Sequence, residues 1–137
     1  MVLARRGLPD DGTLILTLVC ILGAAGGSAV LNTVLDEGTD EKMPRLSRRV
    51  AALRSFGRGK VAAGALAAIA ASLVLAAWRL NLAVCLLLAA AAFGYALLYT
   101  LVWKRRSPYG TVLGAVPGAL PVLIGYAAVN PRLGFDG

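Results

Sequence analysis

Four long stretches of this chain carry no charged residue: Thr13–Leu35, Val61–Trp78, Leu82–Trp103 and Gly110–Asn130. Each is long enough to cross or deeply enter a bilayer, which takes roughly 17–25 residues. A backbone in hydrocarbon must satisfy its own polar groups, so each stretch is expected to be a helix. The chain is 58% apolar, a share few soluble domains reach. Its mean hydropathy of +0.75 points the same way. Thr13–Leu35 is not expected to be a signal peptide, because its 23 uncharged residues exceed the usual apolar core of one. No small-residue cleavage site precedes a mature domain either. The expected architecture is all-α: a multi-pass transmembrane helical bundle forming one membrane domain over residues 1–137. About four membrane helices (13–35, 61–78, 82–103, 110–130) would be joined by basic loops at 36–60 and 104–109.

The net charge of +7 is unevenly placed. Residues 36–60 hold seven basic side chains (Lys42, Arg45, Arg48, Arg49, Arg54, Arg58, Lys60), and Lys104, Arg105 and Arg106 add three. The other four, Arg5, Arg6, Arg79 and Arg132, fall on the opposite side if all four segments span. This split places the two basic loops in the cytoplasm, and the high Ala, Gly and Arg content fits a bacterial plasma membrane. The cations can also snorkel and touch anionic lipid. Nucleic acid is not an expected partner, because no stacking aromatics are interleaved with the charges.

The segments differ in character. Gly23-Ala-Ala-Gly-Gly-Ser28-Ala29 in the first lets a neighbouring helix come close. Arg79-Leu-Asn81 leaves only a tight turn between the second and third, which should form an antiparallel hairpin. Tyr95, Tyr99 and Trp103 suit an interfacial belt. The fourth carries Gly114, Pro117, Gly118, Pro121 and Gly125; a kinked helix lining a pocket is one reading and plain packing the other. Cys20 and Cys85 stand singly in apolar segments as small apolar residues. The absence of His excludes His-based zinc sites and a Ser-His-Asp arrangement.

Chemistry concentrates at the end of the first stretch, in Asn32-Thr-Val-Leu-Asp36-Glu37-Gly-Thr-Asp40-Glu41. Continued helix would put Asn32, Asp36 and Asp40 on one broad face, where they could hold a hard cation. Acids at a helix C-terminus oppose the macrodipole by roughly 0.3–1 kcal/mol each when exposed. A bound cation or the adjacent arginines would offset that cost, and a solvated helix end is the plain alternative. Carboxylates beside arginines suit a magnesium-bridged diphosphate, and an apolar pocket would take a lipid tail.

Asn32-x3-Asp36-x3-Asp40, followed by Lys42-Met43-x-Arg45-x3-Arg49-Val50, resembles the first aspartate-rich motif of the UbiA prenyltransferase superfamily. A second block, Lys104-Arg105-Arg106-Ser107-Pro108-Tyr109-Gly110-Thr111 and the Gly/Pro helix after it, resembles the haem O synthase (protoheme IX farnesyltransferase) branch more narrowly. It separates the chain from hydroxybenzoate polyprenyltransferases, which share only the looser acidic pattern. The resemblance covers about residues 13–130. It implies Mg²⁺ as cofactor and farnesyl diphosphate and haem B as substrates. The allylic C–O bond would ionise, the cation would add to a haem vinyl group, and water would complete haem O. Carried over by position, Asp36 and Asp40 would be the catalytic metal ligands. Asn32, Arg45, Arg49, Lys104, Arg105 and Tyr109 would bind substrate through diphosphate or haem propionates.

The departures from that family carry expectations of their own. Gly38 stands where relatives usually have a third acid, and Thr33 where a second Asn is common. The family has about nine helices and a later second acidic motif, whereas Asp136 is the only acid after residue 110. The chain is therefore expected to correspond to helices two to five, truncated on both sides and inactive alone. A second chain supplying the missing helices would complete it. The alternatives are a catalytically inactive remnant or membrane interaction protein of the same fold, or another UbiA-type aromatic prenyltransferase.

Overall fold

The computed structural model of the chain describes residues 9–95 and 110–130, with backbone alone over 110–117. The described residues form α1 (Asp11–Leu35), α2 (Glu37–Asp40), a 3-10 turn (Pro44–Leu46), α3 (Ser47–Phe56), α4 (Arg58–Arg79), α5 (Leu82–Phe93) and α6 (Gly110–Val129). No strand occurs among them. The all-α class expected from the uncharged runs is thus what forms. α1 and α4 are each long and apolar enough to cross a bilayer. The last part of the expected 82–103 helix, residues 96–103, and the loop 104–109 lie outside the described residues.

Local chemistry explains the helix boundaries. Asp10 caps α1, its Oδ2 accepting from the Thr13 N–H at 2.8 Å. Asn81 caps α5, its Oδ1 accepting from the Val84 N–H at 2.9 Å. Its amide also donates to the Ala127 carbonyl at 2.8 Å, and this carbonyl is in the last turn of α6, where no helical partner remains. One side chain thereby ties the α4–α5 turn to the end of α6. Between α3 and α4, Gly57 takes φ +86°, a conformation L side chains rarely adopt, and the chain changes direction there.

The most extensive packing joins α1 to α4. Gly27 lies so close to α4 that a Cβ there would meet the Ala65 carbonyl oxygen at 2.7 Å and the Ile69 Cγ1 at 2.8 Å. A Cβ on Gly23 would collide with the Ser72 hydroxyl. The pairing of 27 with 65 and 23 with 72 makes the two helices antiparallel. This is the close approach that small residues at four-residue spacing permit in membranes. Beside this pair, Cys20 and Ala24 of α1, Ala76 of α4, Val84 and Leu88 of α5, and Ile124 and Ala127 of α6 form the core. Large apolar side chains face outward, among them Leu22, Val74, Trp78, Leu82 and Val122, as a lipid solvent allows.

The stretch 36–60, expected as a loop, is largely helical. Pro44 opens the 3-10 turn, and no Gly or Pro interrupts Leu46–Phe56. Val50 and Leu53 of α3 are buried on its inner side while Arg48, Arg49 and Arg54 stay exposed. Burial of two side chains at i and i+3, with ion pairs to α2, holds a helix too short to persist alone.

Candidate functional site

α1 ends with its C-cap at Asp36 without losing the helical register. The Asp36 N–H donates to the Asn32 carbonyl at 2.9 Å, and the Asp40 N–H to the Asp36 carbonyl at 2.8 Å. Asn32, Asp36 and Asp40 are therefore stacked one turn apart, about 6 Å per step. α1 closes at Leu35, the end expected for the 13–35 helix, and the shared face continues past it because α2 restarts at Glu37. Asp36 is only 3% exposed and Asp40 6%.

The four carboxylates divide into two pairs. Glu37 and Glu41 turn toward the basic helices: Arg54 reaches Glu41 at 2.8 Å and Glu37 at 3.1 Å, and Arg58 lies 3.6 Å from Glu37. Hydrogen bonds to Glu41 and then Glu37 raise the Arg54 guanidinium above its ordinary value, so it stays charged at any working pH. Asp40 points inward. Its Oδ2 is buried without a hydrogen bond. The nearest cation, Arg49 Nη1, stands at 3.5 Å, an ion pair too poorly aligned to be a hydrogen bond. The other arm of Arg49 donates to the Thr33 hydroxyl. Arg45 and Arg48 are exposed, with no ion pair among the described residues.

No group of three or more His, Cys, Asp or Glu gathers in a metal-binding arrangement among the described residues. Two carboxylates one turn apart, one with an unbonded buried oxygen, nevertheless fit a magnesium ion. Such an ion usually takes only one or two carboxylates and fills its remaining positions with water and substrate phosphate oxygens. Of the expected site residues, the structure brings together Asn32, Asp36, Asp40 and Arg49 and leaves Arg45 exposed on the 3-10 turn. Lys104, Arg105 and Tyr109 lie outside the described residues. Room exists at Gly38 for a side chain, since nothing lies within 4 Å of a Cβ there.

An apolar cleft of about 320 Å³ lies between α1, α5 and α6. Ile21, Ala25 and Ser28 line one wall, Leu88 and Tyr95 the second, and Gly118, Pro121 and Ile124 the third. α6 is continuous helix through Pro117 and Pro121. Pro121 has no N–H to give the carbonyl of residue 117, one turn back. The Ser28 hydroxyl is buried here without a hydrogen bond. Thr17, Thr33 and Ser72, by contrast, each donate to the carbonyl four residues back. Ser28 was not singled out from the sequence as a site residue, although it lies four before Asn32 and so continues the face that carries Asp36 and Asp40. About 12 Å of helix axis separates it from Asp36.

Comparison with known proteins places this sequence in a lineage. A protein named protoheme IX farnesyltransferase from Geotalea uraniireducens (strain Rf4) is 44% identical over 130 residues, covering 95% of this chain and 50% of the relative. Proteins of the same name from Mycolicibacterium vanbaalenii and Aquifex aeolicus (strain VF5) are 39% and 37% identical, again over 95% of this chain and over 42% and 44% of the relatives. The chain thus spans about half the length of the curated relatives it matches. No solved structure gives a significant match. The sequence model of the UbiA prenyltransferase family matches residues 1–136, nearly end to end, and the chain belongs to that family.

Proposed function

We propose that this chain carries the first diphosphate-binding half of an enzyme that transfers a farnesyl group from farnesyl diphosphate to a vinyl group of haem B, giving haem O. The observation that carries the reading is the Asp36–Asp40 pair: buried, one turn apart, with an unbonded Asp40 oxygen, on the helix whose earlier turns line an apolar cleft. The names of relatives at 37–44% identity supply the substrates.

Asp36 and Asp40 would hold Mg²⁺, with Asn32 supporting them. A magnesium ion bound there supplies positive charge that stabilises the diphosphate as it leaves. Arg45 and Arg49 would meet diphosphate or haem propionates with the paired N–H groups that suit such anions, and Lys104, Arg105 and Tyr109 would add to that set. The cleft would take the isoprenoid tail and keep water from the allylic carbon. α1 and α4 would cross the plasma membrane with residues 36–60 on the cytoplasmic side, as part of a multi-pass bundle. A second chain or segment supplying further helices would complete the ligand set. The lack of a third clustered acid among the described residues favours one other reading, a catalytically inactive member of the family.

The deciding experiment is conversion of haem B to haem O by membranes containing the chain, farnesyl diphosphate and Mg²⁺, read by chromatography. The chain alone should give little or no product, and co-expression with the later helices of a relative should restore it. Restoration that survives Asp36→Asn would defeat the assignment of that residue.

A further inference from the structure

Arg49 occupies the position at Asp40 that a cation would take. Burying a carboxylate without a counter-charge is strongly unfavourable, and Arg49 is the one cation placed against Asp40 among the described residues. Yet the pair is loose. Nη1 stands 3.5 Å from Oδ2, which accepts no hydrogen bond, while the Arg49 side chain is 42% exposed. The neighbouring Arg54 behaves differently, with contacts of 2.8 and 3.1 Å to Glu41 and Glu37. What anchors Arg49 is Thr33, whose hydroxyl accepts from Nη2 while donating to the Ala29 carbonyl. Arg49 therefore neutralises Asp40 without saturating it.

We propose that Arg49 is a placeholder cation. It balances Asp40 in the metal-free protein and yields that carboxylate to a divalent cation when diphosphate arrives, its guanidinium then turning to the diphosphate oxygens. The inference rests on the reading of Asp36 and Asp40 as metal ligands. The anchor at Thr33 holds Arg49 beside Asp40, so the exchange needs only rotation of an exposed side chain. The device makes metal and diphosphate bind together: a cation arriving alone must displace Arg49, whereas a cation arriving with diphosphate gives Arg49 a new partner. The fork of a guanidinium is suited to both the carboxylate and the diphosphate partner.

The test is equilibrium dialysis of Mn²⁺ against the full chain in lipid nanodiscs, with and without inorganic diphosphate. Arg49→Ala should bind Mn²⁺ alone roughly two- to fivefold more tightly than wild type, the range carried by partly exposed ion pairs. Arg48→Ala, which removes the same charge from an exposed neighbour, should leave Mn²⁺ affinity unchanged. Diphosphate should increase Mn²⁺ uptake in the wild type by a larger factor than in Arg49→Ala. Should the alanine variant lose its helicity, Arg49→Gln removes the charge while keeping a donor for Thr33. Equal Mn²⁺ affinity in the Arg49 and Arg48 variants overturns the placeholder while leaving the metal site standing. If the wild type takes up no Mn²⁺ even with diphosphate, the metal reading of Asp36 and Asp40 falls, and the placeholder with it.

Discussion

Asp40 is buried with one oxygen unbonded, while its chain neighbour Glu41 reaches outward to Arg54 at 2.8 Å. Substitution should separate the two roles. Asp40→Asn is expected to abolish the diphosphate-dependent Mn²⁺ uptake of the chain, because it removes the charge from the unbonded oxygen. Glu41→Gln should leave that uptake intact and barely change the thermal midpoint, because an exposed ion pair contributes little. Loss of uptake in both variants would mean that the four acids act as one pool. Ser28 offers a second residue-level prediction. Its hydroxyl is buried without a partner in an apolar cleft, a state that costs roughly 1–3 kcal/mol. Ser28→Ala should therefore raise the thermal midpoint of helix loss in detergent, and a lowered midpoint would reveal a hydrogen bond to that hydroxyl in the folded protein. The spacing of Asn32, Asp36 and Asp40 was legible in the sequence because one helical turn is four residues. The sorting of acids into inward and outward pairs was not. It depends on where Arg49, Arg54 and Arg58 arrive from α3 and α4, and those are tertiary contacts.

At the scale of elements, the run Gly23–Ala29 announced a close helix contact but not which glycine makes it. The structure separates them: Gly27 faces the α4 backbone, whereas a Cβ on Gly26 would meet nothing within 4 Å. Gly27→Ala should therefore destabilise the α1–α4 pair by roughly 1–3 kcal/mol, since the obstructing atom is a carbonyl that cannot swing aside. Gly26→Ala should be neutral or mildly stabilising, because alanine favours helix over glycine. Helix loss against added denaturing detergent measures both, and equal effects would show that α1 and α4 do not meet at Gly27. The stretch read as a loop shows where sequence reasoning ran short. α3 buries only Val50 and Leu53, too few apolar positions for helical periodicity to stand out among its arginines. Its stability comes from partners in α2 and α4 that no window of local sequence contains.

Across the whole molecule, the helical class followed from four uncharged runs, since hydrocarbon leaves a backbone few alternatives. The ends of the bundle are distinguished by what the antiparallel α1–α4 pair carries to each. Asp10, Thr13 and Arg79 share a surface cleft at one end, and the acidic motif with its arginines occupies the other. If α1 and α4 both cross the bilayer, the proposed cytoplasmic placement of that second end, the one richer in Lys and Arg, becomes a matter of labelling. The two native cysteines make this testable without rebuilding the chain. Cys20 is buried and Cys85 half-buried, both within helices that would lie in the membrane, so a membrane-impermeant maleimide should label neither. Ser55 is exposed near the end of α3. A Ser55→Cys variant should react with that reagent in inside-out vesicles and stay unlabelled in intact spheroplasts. A Gly12→Cys variant, placed at the other end of α1, should show the reverse pattern. Labelling of both variants from the same side would mean that α1 does not cross the membrane, and labelling of Ser55→Cys only in intact spheroplasts would put the acidic motif outside the cytoplasm.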